Sequence, residues 1–269
     1  MPDIQYPKKL YMSKPLILVC NDDGIFSVGI RTLIEVMSEL GEVVVVAPDS
    51  PQSGMGHAIT IGNTLRLESS DLFPGIIAYE CSGTPADCVK LAKHYVLKGR
   101  KPDLVVSGIN HGSNSSISVL YSGTMSAAIE AALEGLPAIG FSLCDYDAHA
   151  DFSHVKKYVK QIATEVLTNG LAKGITLNVN FPPISAAPIK GVKICRQAHA
   201  RWEEKFDERF DPYGRRYFWM AGSFENKDAG EDTDEWALAN SYVSVVPCSF
   251  DLTAHQLIGQ LNRDWKFIN

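Results

Sequence analysis

Two adjacent acids, Asp22 and Asp23, follow the uncharged run Leu16-Ile17-Leu18-Val19-Cys20 and stand inside Asn21-Asp22-Asp23-Gly24. The run reads as a short buried strand, and the four residues after it as a turn that leaves the ladder. Paired carboxylates at a strand's end repel each other and lose solvent, and a divalent cation offsets both effects best. The plain alternative is a solvated acidic turn. Further oxygen donors stand at other strand ends, Ser53 in Gln52-Ser53-Gly54 and Asn110 in Ser107-Gly108-Ile109-Asn110, with no Cys or convincing His cluster beside them. Such a set suits Mg²⁺, Mn²⁺ or Ca²⁺ rather than zinc. Ser122-Gly123-Thr124 opens a segment with alanines at 127, 128, 131 and 132. A turn of this kind feeding a helix offers backbone N–H groups and hydroxyls to an anion. A cation beside an anion cradle reads as metal-assisted phosphate-ester hydrolysis.

The elements that must position these groups are legible along the chain. Ser27 caps a helix whose Ile30, Leu33, Ile34 and Met37 recur at helical spacing up to Gly41. Val43 to Ala47 is a second buried strand, ending in the turn-rich loop from Pro48 to His57. Ile59 to Glu68 alternates loosely and suggests a hairpin arm, and Ile76 to Cys81 another strand. Thr84, Pro85 and Asp87 make a helix start running to about Leu97; their first role is structural. Asp103 to Ser107 is a strand running into a polar loop over Gly108 to Ser116. Pro137 to Leu143 gives one more strand and Val155 to Leu167 an amphipathic helix. Alternating strand and helix predicts a Rossmann-like α/β core, a mainly parallel sheet with helices on both faces. In such sheets ligands bind beyond the carboxyl ends of the strands. Neither GxGxxG after the first strand nor GxxxxGK[ST] occurs, so a dinucleotide site and a P-loop are not indicated.

At 269 residues, 45% apolar and 21% charged, the chain has the composition of an ordinary globular protein with one large core. A net charge of −6 without a dense basic stripe argues against a long nucleic-acid partner. Six cysteines without a CxxC pair read as reduced, packed thiols and point to the cytoplasm. No secretory signal is evident, and no apolar run approaches the roughly 20 residues of a membrane span. Residues 1–14 read as an N-terminal extension, 15–182 as the Rossmann-like catalytic core, and 183–269 as a C-terminal β-hairpin or arm with a closing helix. Pro182-Pro183 and Pro188 mark that last boundary. The tail holds Trp202, Phe206, Phe210, Tyr213, Phe224 and Trp236, more aromatics than a small subdomain covers, which suggests contact with another copy of the chain. The acidic stretch from Glu225 to Glu235 does not fit an EF-hand and reads as a solvated loop.

The sequence resembles the SurE acid phosphatases and nucleotidases. The resemblance is carried by Asn21-Asp22-Asp23-Gly24, Ala47-Pro48 with Gln52-Ser53-Gly54, Gly56-His57, Gly83-Thr84-Pro85-Ala86-Asp87, Ser107-Gly108-Ile109-Asn110 and Tyr121-Ser122-Gly123-Thr124, then Thr233-Asp234 and Tyr242-Val243-Ser244 with Pro247. It implies one divalent metal, Mg²⁺ or Mn²⁺, held by Asp22, Asp23, Ser53 and Asn110, with one acid of the pair as base or nucleophile. It also implies hydrolysis of nucleoside 5′-monophosphates, with 3′-monophosphates as a second class, and dimers or tetramers formed by exchange of the C-terminal arm. Asn21, Gly54, His57, Gly108, Ser122, Gly123 and Thr124 are the expected phosphate or substrate contacts, and Asn110 joins the acids as a catalytic candidate. Members often carry an acidic pair after the motif Asn, where this chain has Ile117-Ser118.

His57 has a packed structural role as its alternative. His111, next to Asn110, is a weaker candidate general acid. Among other readings, a Mg²⁺-binding receiver-like signalling module needs a single Asp after a middle strand, where Cys81-Ser82-Gly83 and Ser107-Gly108-Ile109-Asn110 offer none. A haloacid-dehalogenase-type phosphatase needs Asp-x-Asp, and here the acids are adjacent.

Overall fold

The computed structural model describes residues 14–147, 149–183 and 188–267. The expected extension over 1–14 therefore lies outside the described residues, apart from Lys14. Leu16–Cys20 forms β1, buried at every position because both faces of the sheet are covered. Helix α1, Val28–Ser38, starts where Ser27 Oγ accepts the Ile30 N–H. Strand β2 is Glu42–Pro48, β3 Leu67–Ser69 and β4 Ile77–Cys81. The hairpin arm expected over 59–68 shrinks to β3, which pairs antiparallel with β4; most of that stretch wraps over the surface instead. Helix α2, Pro85–Leu91, carries the expected capping box, Thr84 and Asp87 bonding reciprocally, and continues as a π-helical turn to Val96.

Strand β5, Leu104–His111, outlasts its expected end at Ser107. The polar residues stay in the ladder because Asn110 and His111 pair with Ser142 and Leu143, beyond a slip between Ser107 and Asn110. Then come α3, Gly123–Leu133; β6, Ala138–Leu143; α4, Lys156–Asn169; and β7, Ile175–Phe181. The tail supplies β8, Gly191–Ile194; the long hairpin β9, Ala200–Phe210, and β10, Arg216–Asn226; α5, Asp234–Ala239; β11, Tyr242–Ser249; and α6, His255–Asp264.

Among the described residues nine strands form one sheet in the order β3-β4-β2-β1-β5-β6-β7-β11-β8, parallel from β4 to β7. The sheet does not stop at Pro182, since β11 pairs antiparallel with β7 and parallel with β8. Alternate side chains sort to opposite faces. Ile17, Val19, Val43, Val45, Leu104 and Val106 pack under α1 and α4. Leu18, Cys20, Val44, Val46 and Val105 pack under α2 and the alanine face of α3. From β1 the chain steps to β2 and β4 on one side, then returns to place β5, β6 and β7 on the other. The order therefore reverses between β1 and β5, where a doubly wound sheet opens a crevice at the strands' carboxyl ends.

Candidate active site

The reversal brings the loop after β1 beside the end of β5, with Cys20 paired to Ser107. Asp22 is 4% exposed. Its Oδ1 accepts the Thr124 hydroxyl at 2.5 Å, and its side chain lies against the first turn of α3. A Cβ at Gly123 would come 2.6 Å from the Asp22 Cβ and 2.8 Å from Oδ2, so only glycine lets the helix approach so closely. Asp23 Oδ2 accepts the backbone N–H of His111 at 3.0 Å. Burial first, and then the charge of Asp23, push the Asp22 carboxyl from its ordinary 3.8 up to about 6, against the Thr124 hydrogen bond. Burial also raises Asp23, opposed by the His111 N–H.

Asn21 donates Nδ2 to Gly24 O at 2.8 Å and to Ser27 Oγ at 2.9 Å. That fixes the turn and leaves its buried Oδ1 without a partner among the described residues. Asn110 donates Nδ2 to Gly112 O at 2.8 Å, which leaves its amide oxygen as the free end. Gly108, at φ +123°, lies so near β6 that a Cβ would sit 2.3 Å from Phe141 O. Ser53 and Gly54 lie in the exposed loop after β2. That loop is tied at Gln52, whose N–H donates to Asp22 O at 2.7 Å, and at Gly56, whose N–H donates to Tyr121 O at 3.0 Å.

Among the described residues no three His, Cys, Asp or Glu side chains converge as a metal cage. A cation here must complete its coordination with neutral oxygens, and Asn110 and Ser53 are of the right kind. A buried and a partly buried carboxylate with raised pKa, beside the unpartnered buried oxygen of Asn21, fit a hard divalent ion.

Not every expected contact falls on an anion cradle. The Ser122 hydroxyl accepts the Met125 N–H as the cap of α3, and the Thr124 hydroxyl is engaged by Asp22. Both hydroxyls thus act through the helix and the carboxylate, leaving the helix N-terminus itself to face an anion. The His57 ring turns to Glu130, with Nε2 3.0 Å from Oε2. His111 contributes its backbone N–H, while its ring nitrogen contacts the Asp147 carbonyl.

Several residues at the site gave no signal of their role in the sequence. The loop after β5 is held from below by buried asparagines: Asn114 N–H donates to Asn180 Oδ1 and Asn178 Nδ2 to Asn114 O, both at 2.8 Å. It is held from the side by α5. The acidic stretch expected to be a solvated loop begins inside β10 and is a loop only from Lys227 to Asp232. Asp234 is 1% exposed and accepts the N–H groups of Ser116 at 2.8 Å and Ala198 at 2.9 Å. Glu235 accepts the Ser115 hydroxyl. Thr233 and Asp234 stand in the sequence as a helix cap and its first residue, a pattern that reveals nothing of a bond made 118 residues away. A cavity of about 750 Å³ adjoins the site, lined among others by His57, Ser122, Ser126, Ile129 and Phe250. Another of about 1200 Å³ reaches from Gly54 and Tyr121 to Trp202 and Met220.

Fold and site together define a Rossmann-like α/β protein with a pair of adjacent carboxylates at the carboxyl edge of its sheet, at the switch point. The survival protein SurE family model matches residues 17–204. The chain is 93% identical to the 5′-nucleotidase SurE of Cytophaga hutchinsonii over 96% of its length and all of that protein. It is 64% identical to the 5′-nucleotidase SurE of Flavobacterium psychrophilum, over 94% of this chain and 98% of that one. Among solved structures, the SurE protein of Aquifex aeolicus superposes with a TM-score of 0.80 at 39% identity, covering 93% of this chain and 99% of its own. The chain belongs to the SurE family.

Proposed function

We propose that this protein is a 5′-nucleotidase, a phosphomonoesterase that releases phosphate from nucleoside 5′-monophosphates with the help of a divalent cation. The observation that carries the reading is the Asp22–Asp23 pair at the sheet's switch point, with Asp22 buried against the N-terminus of α3 and Asp23 held by the end of β5. Asp22, Asp23, Ser53 and Asn110 would hold Mg²⁺ or Mn²⁺, which when bound supplies Lewis-acid polarisation of a phosphoryl oxygen and positive charge beside the acids. The protein's own groups do the rest. Thr124 and the His111 N–H fix the two carboxylates, one of which serves as base or nucleophile. The first turn of α3 at Gly123 and the ring of His57 orient the phosphoryl oxygens. The free cysteines suit a reducing compartment, and we place the enzyme in the cytoplasm. No helix among the described residues is long and apolar enough to cross a membrane.

Phosphate release is to be measured from a panel of nucleoside 5′- and 3′-monophosphates, on metal-stripped protein with Mg²⁺ or Mn²⁺ restored. Release that returns with the metal supports the reading. Folded protein that releases no phosphate under any of these conditions overturns it.

The same reading assigns the C-terminal arm to self-association as a dimer or tetramer. The β9–β10 hairpin forms a sheet of its own, and Phe206, Phe210, Phe218, Trp219 and Met220 on it are each more than half exposed. So large an apolar display on a two-stranded ribbon needs a cover. Sedimentation should show a single oligomer for the wild type and a smaller species for Phe206→Asp/Trp219→Asp. An unchanged sedimentation coefficient in the variant would remove the arm from the interface.

A further inference from the structure

Helix α3 is lined with small residues, yet it carries one carboxylate, Glu130, whose side chain is 4% exposed. Ser122, Ser126 and Glu130 recur every four residues and so share one face of the helix. Two groups from elsewhere in the chain meet the carboxylate. Lys90 of α2 brings Nζ to 2.5 Å from Oε1, and His57 brings Nε2 to 3.0 Å from Oε2. Burial would raise the carboxyl, but the hydrogen bonds from His57 and Lys90 outweigh it and hold Glu130 below the usual carboxylate range. An ionised carboxylate accepts only, so the His57 nitrogen facing it carries the proton.

Lys90 alone would neutralise Glu130, so the ring is not needed to balance its charge. His57 comes from the loop after β2, 73 residues away in sequence. Its ring lines the cavity of about 750 Å³ together with Ser122 and Ser126. With Nε2 engaged by Glu130, Nδ1 is the ring nitrogen left for that cavity.

The geometry points to Glu130 as a positioning residue: seated on Lys90, it anchors the His57 ring by Nε2 so that the ring, as an imidazolium with a proton on both nitrogens, donates from Nδ1 to a phosphoryl oxygen of a nucleoside monophosphate held at the start of α3. The inference rests on the function proposed above and goes beyond it by naming a residue that acts only through another.

The test is a double-mutant cycle on phosphate release, with wild type, Glu130→Gln, His57→Gln and the double variant assayed with metal present and their melting temperatures recorded. Loss of one charge-assisted hydrogen bond to the substrate predicts a rise in KM of about tenfold in each single variant. In Glu130→Gln, kcat should change by less than about twofold, the pattern of lost binding rather than lost chemistry. The double variant should be no worse than His57→Gln alone. Should Glu130→Gln fail to fold, Lys90→Met, which removes a half-exposed partner of the same carboxylate, is run in the same cycle. Losses that multiply in the double variant, or a fall in kcat at unchanged KM, would show that Glu130 does not act through His57, while leaving the nucleotidase reading intact. Wild-type protein that releases no phosphate would overturn that reading and this inference with it.

Discussion

Asp22→Asn should abolish phosphate release while making the metal-free protein more stable at neutral pH. Removal of a group proposed to hold the metal of a phosphoryl-transfer site should lower the rate by at least about 10³-fold. The opposite effect on stability follows from the environment of Asp22. Burial and the neighbouring Asp23 raise its carboxyl from 3.8 to about 6. The folded state therefore holds the proton more tightly than the unfolded chain does. Between about pH 4 and pH 6, stability contributed by this group falls as pH rises, and above pH 6 the whole penalty, about 3 kcal/mol, is present. Asparagine keeps an oxygen for the Thr124 hydroxyl and carries no charge. In a chain of this size the gain corresponds to a melting temperature roughly 6 °C or more higher at pH 8 without metal. The difference between the two proteins should close as pH falls below about 4, where Asp22 is neutral in both states. Added Mg²⁺ should then raise the melting temperature of the wild type and leave the variant unmoved. Calorimetry of both proteins at pH 4 and pH 8, with and without Mg²⁺, checks each point. A variant less stable than wild type at pH 8 without metal would mean that the acid pair is not held against electrostatic strain.

The second large effect is expected far from the acid pair, at Asp234→Ala. This carboxylate accepts two buried N–H groups, those of Ser116 in the loop after β5 and Ala198 at the root of the hairpin arm. Ser116 in turn donates its hydroxyl to Ala198 O at 2.9 Å and accepts the Ala200 N–H at 3.1 Å. Truncation leaves both donors unpaired in a dry site, and breaking a buried charged contact of this kind costs about 3–5 kcal/mol. The melting temperature should drop by about 10 °C. The loss should also be local: the amides of Ser116 and Ala198 lose hydrogen-exchange protection before the sheet does. Because that loop follows directly on Asn110 and His111 at the end of β5, kcat/KM should fall even where the variant is fully folded. A melting temperature within about 1 °C of wild type would reduce Asp234 to a surface acid. This contact also explains how the loop keeps its shape with Ile117-Ser118 where the resemblance expects acids. Acids from α5, Asp234 and Glu235, reach across to Ser116 and Ser115 and hold it.

The sequence by itself determined whatever depends on neighbours along the chain. The buried strands at 16–20 and 43–47, the Ser27 cap, the Thr84–Asp87 capping box and the break at Asp22-Asp23 all follow from side-chain period and turn chemistry over a few residues. Alternation of strand and helix carried this as far as a parallel sheet with ligands at its carboxyl edge. Local rules failed where long-range pairing overrode them. Asn110 and His111 look like loop but stay in β5 because β6 offers them a ladder. Asp234 reads as solvent-facing and is 1% exposed because two distant N–H groups need an acceptor. Only the tertiary structure decided that β1 and β5 are neighbours, that Gly123 abuts Asp22, and that Glu130 takes hold of His57. The physical reason is the same in each case. A buried charge or unpaired N–H must find its partner somewhere in the fold, and periodicity along the chain carries no record of which distant residue supplies it.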